Sequence, residues 1–181
     1  RPPRSTLFPY TTLFRSDIDL DAITHNIALI REKVASGTRL IMPIKANGYG
    51  HGVVEVAQHM ASLGVDGFAT ANVENALAVR QAGVTLPIVI YGAQVPEGNA
   101  LLVANDLTPT VYDEAGVAAV AEVAKALGRR VAVHLKVDAG LGRLGVRQDE
   151  AVALASRIAS DQSLYLEGVY THIPYSSQIG R

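Results

Sequence analysis

From Leu40 onward, a strand-like run followed by a helix-like run recurs six times, with a period of about 25 residues. Such alternation demands parallel strands joined by crossover helices, because a tight hairpin cannot reach a parallel partner. The strands read as Leu40–Lys45, Gly67–Ala71, Pro87–Tyr91, Thr108–Val111, Val131–Asp138 and Leu166–Thr171. Helices are expected over Val53–Leu63, Val73–Gln81, Pro96–Asn105, from Asp113 to Leu127, and over Asp149–Ser160. Gly64, Gly83 and Gly128 act as stops. Ahead of this series, Ile18 and Leu20 read as a short strand-like piece. Asp21 then reads as the cap of a helix with Ile23, Ile27, Ile30 and Val34 at helical spacing, ended by Gly37.

Two closures fit six such units: an open doubly wound sheet or a (β/α)8 barrel. No dinucleotide-type glycine pattern follows the first strand, which weighs against the open sheet. The expected fold class is therefore α/β, an incomplete (β/α)8 TIM-type barrel with about six of its eight units. In such a barrel, reactive groups gather at the C-terminal ends of the strands. Lys45, Asp138 and His172 each stand at or just after the end of an expected strand.

Composition narrows the function classes. Sixteen Lys and Arg against 17 Asp and Glu leave a net charge of −1, with no basic stripe, so nucleic-acid binding is disfavoured. The chain has no cysteine, which excludes disulfides and thiolate metal sites and fits a cytoplasmic location. No His/Asp/Glu cluster has metal-ligand spacing, so no metal is expected. No run approaches the roughly 18 apolar residues of a membrane span. Residues 1–16 repeat Thr-Leu-Phe and contain no acid; they read as a non-native, adapter-like or vector-like leader. The native part is expected over 17–177, with 178–181 as a possible second junction.

The chemistry concentrates around one lysine. Lys45 closes the apolar run Leu40-Ile41-Met42-Pro43-Ile44, and Gly48, Tyr49, Gly50, His51 and Gly52 follow. A lysine so placed is expected to be partly desolvated, which favours the neutral amine. Neutral amines attack aldehydes, so Schiff-base chemistry becomes available at neutral pH. Tyr49 is a phenol in reach of a phosphate, and the three glycines permit positive φ and close backbone approach. His51 is expected to pack and bond locally; His25 and His59 read as helix residues. A second block runs His134-Leu135-Lys136-Val137-Asp138-Ala139-Gly140-Leu141-Gly142-Arg143-Leu144-Gly145. Strand alternation puts Lys136 and Asp138 on one face with Ala132 and His134. Arg143 adds a planar fork suited to an oxyanion. A third block is Gly168-Val169-Tyr170-Thr171-His172.

These blocks, together with Asp17-Ile18-Asp19-Leu20-Asp21-Ala22-Ile23-Thr24-His25-Asn26, resemble the alanine racemase family over about residues 17–175. Gly48 stands where that family usually has alanine, and Ala139 and Leu141 where it has threonine and methionine. After His172, Ile173-Pro174-Tyr175 departs from the usual Phe-Ala pattern. The resemblance implies pyridoxal 5'-phosphate (PLP) on Lys45 and racemisation of a small amino acid, alanine first, with Lys45 as catalytic base. It also implies that Tyr49 contacts the phosphate and that Arg143 binds the cofactor's phenolic oxygen and the substrate carboxylate. By the same resemblance His172 lies on the cofactor side and Lys136, often as a carbamate, braces Arg143. Asp138 is expected to converge with Lys136 and Arg143 on an anion site as a supporting residue. The family works as a homodimer whose C-terminal β domain supplies the second acid–base group. That domain is not in these 181 residues, so the chain alone is expected to be inactive, to bind PLP weakly and to aggregate. Alternatives are a PLP-homeostasis barrel protein, a PLP decarboxylase or aldolase of this barrel type, and a sugar-phosphate barrel without PLP. Tyr91, after the third strand, and Pro174-Tyr175 are further candidates for the cofactor side.

Overall fold

The computed structural model describes residues 17–92 and 94–173; the expectations for 1–16, Pro174-Tyr175 and 178–181 lie outside the described residues. The chain divides into two units, Arg1–Gly37 and Thr38–Arg181.

The first unit holds α1 (Leu20–Lys33). Among the described residues no strand precedes it, contrary to the expectation for Ile18 and Leu20, and Leu20 is already helical. Asp19, not Asp21, is the cap: its carboxylate accepts the N–H of Asp21 at 2.9 Å and of Ala22 at 3.3 Å. Asp21 instead sits in the first turn, where a negative charge complements the helix dipole. Aspartates at 17, 19 and 21 all precede or open the helix, and its start at Leu20 makes Asp19 the cap.

Among the described residues, the second unit holds six strands. They are β1 (Ile41–Pro43), β2 (Gly67–Thr70), β3 (Ile88–Ile90), β4 (Thr108–Val111), β5 (Val131–Val137) and β6 (Leu164–Thr171). All neighbours pair in parallel, in the order β1-β2-β3-β4-β5-β6. A doubly wound sheet reverses strand order at a switch point. Here each strand adds on the same side, which is the winding of a barrel and fills six of its eight places.

Helices cover one face of the sheet: α3 (Val53–Ser62), α4 (Val73–Gln81), α5 (Asn99–Ala104), α6 (Glu114–Ala126) and α7 (Ala151–Ser160). Between β1 and α3 lies the single turn α2 (Lys45–Tyr49). Asn72 caps α4 and Asp113 caps α6, each side chain accepting an N–H three residues on. The single helix expected over Pro96–Asn105 is a 3-10 turn, Pro96–Gly98, leading into α5. Pro96 suits a first turn and Gly98 is a poor helix former, so the α-helix starts only at Asn99.

Val117, Val120, Ala121 and Ala124 give α6 a buried stripe at i, i+3, i+4 and i+7. It packs in a cluster with Val133 and Leu135 of β5, Leu154 and Ile158 of α7, and Leu164 of β6. Truncating one such buried leucine or isoleucine to alanine costs about 2–5 kcal/mol. This layer fixes the strands; the other strand face and the strand ends carry the polar groups.

One irregularity was not legible. Between Val133–Leu166 and His134–Gly168, the β5–β6 register shifts by one residue, which leaves Glu167 without a ladder partner. Its carboxylate meets His134 Nε2 at 3.3 Å. Gly168 makes room for the ring, since a Cβ there would lie 2.8 Å from His134 Cε1.

Candidate functional site

The apolar run before Lys45 ends one residue short of it. Pro43 closes β1, Ile44 is fully buried, and the chain then turns with left-handed geometry. Ala46, Asn47, Gly48 and Tyr49 have φ of 50, 54, 63 and 57°. Left-handed backbone costs L-residues about 1–2 kcal/mol each, so the turn must be held. Gly50 N–H donates to Ala46 O at 2.8 Å and Gly52 N–H to Asn47 O at 3.0 Å. Asn47 Oδ1 accepts the N–H of Val53, and His51 Nδ1 lies 2.8 Å from Gly48 O. Gly48, Gly50 and Gly52 all have positive φ, as expected. His51 bonds within the turn.

The turn aims Lys45 and Tyr49 outward. Lys45 Nζ lies 5.7 Å from the centre of the Tyr49 ring, within cation–π range. The desolvation expected for Lys45 falls on Ile44 instead, and Lys45 itself is exposed.

The desolvated lysine is Lys136. It is 5% exposed, near the end of β5, with Nζ 5.7 Å from the centre of the Tyr170 ring. Burial, and then the positive charge of Arg143, pull its amine below the ordinary lysine range; Asp138 pulls the other way. Tyr170 Oη and Thr110 Oγ1 are 3.1 Å apart, which ties β6 to β4. Burial raises the Tyr170 phenol. Burial also lowers His134, against the opposing charge of Glu167, so the imidazole is mostly neutral at pH 7.

Asp138 lies beyond β5, which ends at Val137, so it does not share the strand face with Lys136 as expected. Its carboxylate turns into the following loop and accepts the N–H groups of Gly140, Leu141 and Gly142. Val146 closes the loop's neck, donating to Lys136 O at 2.9 Å and accepting from Asp138 N–H at 2.8 Å. Gly145 sits inside that neck, where a Cβ would come within 2.5 Å of Asp138 N. The loop between carries Arg143.

Lys45, Tyr49, Lys136, Arg143 and His172 line one cavity of about 690 Å³. It opens at the C-terminal ends of β1, β3, β5 and β6. Five of the six residues singled out in the sequence therefore line one space. The sixth, Asp138, holds the loop that carries Arg143. His172, just past β6, is exposed at the rim. Tyr170 and His134 were not picked as site residues and also line the cavity. Alternation along β6 from His172 would have found Tyr170. Tyr91 lines it too, just past β3.

A second cavity, of about 320 Å³, lies at the opposite strand ends and has Arg80 and Arg129 in its wall. There Arg80 donates to the carbonyls of Val84, Leu86, Asn105 and Asp106, and Arg129 to Val103 O. These guanidiniums tie loops together.

The cavity, its lysine pair and its arginine loop can be set beside known proteins. The family model "Alanine racemase, N-terminal domain" matches residues 18–180. The chain belongs to this family. The alanine racemase of Desulfovibrio desulfuricans is 40% identical over 161 residues, covering 89% of this chain and 43% of the relative. That of Methanococcus maripaludis is 37% identical over 158 residues, covering 87% and 42%. Among solved structures, alanine racemase from Clostridium difficile 630, in complex with cycloserine, superposes with a TM-score of 0.83 at 34% identity, over 87% of this chain and 43% of that one. A histidine racemase from Leuconostoc mesenteroides gives 0.80 at 26% identity, over 90% and 44%. The chain thus spans about two fifths of the length of the curated relatives it matches.

Proposed function

We infer that this chain is the cofactor-holding part of a PLP-dependent racemase acting on a small amino acid, alanine first. One observation carries the reading: in a chain of the alanine racemase family, Lys45, Tyr49, Lys136 and Arg143 line a single cavity at the strand ends. Its volume is within the usual range for cofactor sites, about 300–1,000 Å³. The donor set suits the group: an amine for an aldehyde, a phenol for a phosphate, a guanidinium for an oxyanion.

Bound there, PLP would supply the electron sink that makes the Cα proton of an amino acid acidic. The protein's part is positional. Lys45, accessible on the left-handed turn, holds the cofactor and moves the proton on its own face of Cα. Tyr49, beside it, donates to the phosphate. Arg143, on a loop braced by Asp138, orients the carboxylate and the ring oxygen. Buried Lys136, as its carbamate, would present an anion to Arg143 and fix the guanidinium. His172 flanks the ring. Inversion needs a second acid–base group on the opposite face. In this reading the β domain of a partner subunit supplies it, in a cytoplasmic homodimer.

The likeness to a histidine racemase supports a second substrate choice within the same reaction class. Both versions share a test. The chain is loaded with PLP and incubated with L-alanine, then L-histidine, in deuterated water. Loss of the Cα proton signal is followed by NMR. Exchange with alanine well above that of free PLP, abolished in Lys45→Ala, supports the reading; preference for histidine redirects the substrate. Such one-sided exchange needs Lys45 but not the second acid–base group that racemisation requires. Exchange no faster than free PLP with either amino acid, by a chain with PLP bound at Lys45, therefore refutes the reading.

A further inference from the structure

Three phenols line the cavity: Tyr49, Tyr91 and Tyr170. Tyr170 is committed, its hydroxyl bonded to Thr110. Tyr49 is half-exposed beside Lys45. Tyr91 differs from both. It stands just past β3, and its N–H donates to Thr70 O at 3.0 Å, which extends the β2–β3 ladder by one residue. The next residue, Gly92, packs tightly on Ala71, since a Cβ there would lie 3.1 Å from both the Ala71 Cβ and its carbonyl oxygen. The backbone that carries Tyr91 is thus held on both sides. Its hydroxyl makes no hydrogen bond to another of the described residues.

The electrostatics place this phenol among the reactive groups. Burial first, then Tyr49, push Tyr91 above the ordinary phenol range, while Arg143 pulls it down. Tyr91 in turn raises Tyr170. Tyr91 therefore feels the turn after β1, the loop after β5 and the end of β6. At neutral pH it stays protonated, so its O–H can donate to an anion in the cavity.

We propose that Tyr91 is a ligand-binding residue of this cavity, its phenolic O–H donating to the same oxyanion that Arg143 pairs with. A guanidinium and a phenol facing one oxygen anion supply charge and direction together. The inference rests on the PLP-racemase reading of the site. The oxyanion has two sources in that reading, the ring oxygen of the cofactor and the carboxylate of the amino acid. Tyr91→Phe removes the donor and keeps the ring, so it separates hydrogen bonding from packing.

The test uses the 181-residue chain and two absorbance titrations, first with PLP alone, then with L-alanine added to the PLP-loaded protein. Circular dichroism and urea unfolding check that Tyr91→Phe is folded, and borohydride reduction with peptide mapping locates the bound PLP. A loss of about tenfold in PLP affinity assigns the bond to the ring oxygen. An unchanged PLP affinity with about tenfold weaker L-alanine binding assigns it to the carboxylate. Either result supports the proposal. If both affinities match the wild type within twofold while PLP still maps to Lys45, Tyr91 is only a wall residue, the proposal is overturned and the site reading stands. If the wild-type chain takes up no PLP at Lys45, the site reading fails, and this proposal with it.

Discussion

Both carboxylate oxygens of Asp138 accept the N–H of Gly142, at 3.2 and 2.9 Å. One of them also accepts from Gly140 at 3.0 Å and from Leu141 at 2.8 Å. Gly142 directly precedes Arg143, so an aspartate that lines no part of the cavity fixes the base of the arginine that does. Asp138→Ala should lower stability by about 1–3 kcal/mol and weaken PLP binding by about tenfold. Asp138→Asn keeps one acceptor oxygen and should fall between. Urea unfolding and PLP titration of the two variants check the order. Equal affinities in wild type and Asp138→Ala would separate the loop from the site.

Two glycines of the site should respond differently to alanine. At Gly48, φ is 63° and a Cβ would lie 3.3 Å from Val53 Cα. That is a left-handed but allowed conformation, with a tight contact. Gly48→Ala should cost about 1–2 kcal/mol and leave PLP binding nearly unchanged. At Gly145, φ is 140° and the Cβ would meet Asp138 N at 2.5 Å. Gly145→Ala must open the loop's neck, so it should cost more stability and weaken PLP binding too. The paired denaturation midpoints and PLP affinities test this, and the reverse ranking would contradict it.

These cases show what the sequence could and could not convey. Alternation of strand and helix gave β4 and α4 their observed bounds, and the glycine cluster after Lys45 did mark positive φ. Those are local properties, set by period and by the absence of a side chain. Whether Lys45 or Lys136 is the buried amine is not local. Both follow apolar runs, and only the turn after Ile44 and the packing of Tyr170 decide it. The β5–β6 register shift also depends on a partner strand about 30 residues away, so the Glu167–His134 pair had no signal in either strand alone. Asp138 read as a strand-face residue because alternation continues past Val137 in the sequence. In the structure the ladder stops there, and the carboxylate takes three loop N–H groups.

The buried amine has a pH signature. Its pKa in the folded chain lies below the unfolded value of about 10.4. Between those two values the unfolded chain binds the extra proton, so stability rises with pH through that window. Lys136→Met should flatten the rise. The lowered pKa should also let the Lys136 amine react at lower pH than an ordinary lysine does. Pulse labelling with an acylating reagent, and carbon-13 NMR in labelled bicarbonate for a carbamate, check both. Labelling of Lys136 slower than that of Lys33 or Lys125 at every pH would count against a reactive Lys136 amine within reach of ligand.

Acid stability should depend on Asp161. This buried carboxylate accepts from Ser163 N–H and Oγ and from Lys125 Nζ, with Arg157 nearby. The bonds from Ser163 and Lys125 hold it far below the usual carboxylate range. Its contribution is therefore complete above the unfolded value of about 3.9 and is lost as pH falls toward the depressed folded value. Asp161→Asn should destabilise the chain by about 2 kcal/mol at pH 7, and the gap to wild type should narrow below about pH 4. Urea unfolding as a function of pH shows whether it does.

In the PLP-racemase reading, Lys45, the exposed amine on the left-handed turn, is the residue that holds PLP. The direct measurement is to add PLP to the 181-residue chain, reduce with borohydride and map the modified lysine by peptide mass spectrometry. One dominant label on Lys45, lost in Lys45→Ala, is the expected result. A dominant label on Lys136, or a label spread over the surface lysines and unchanged by Lys45→Ala, would contradict it.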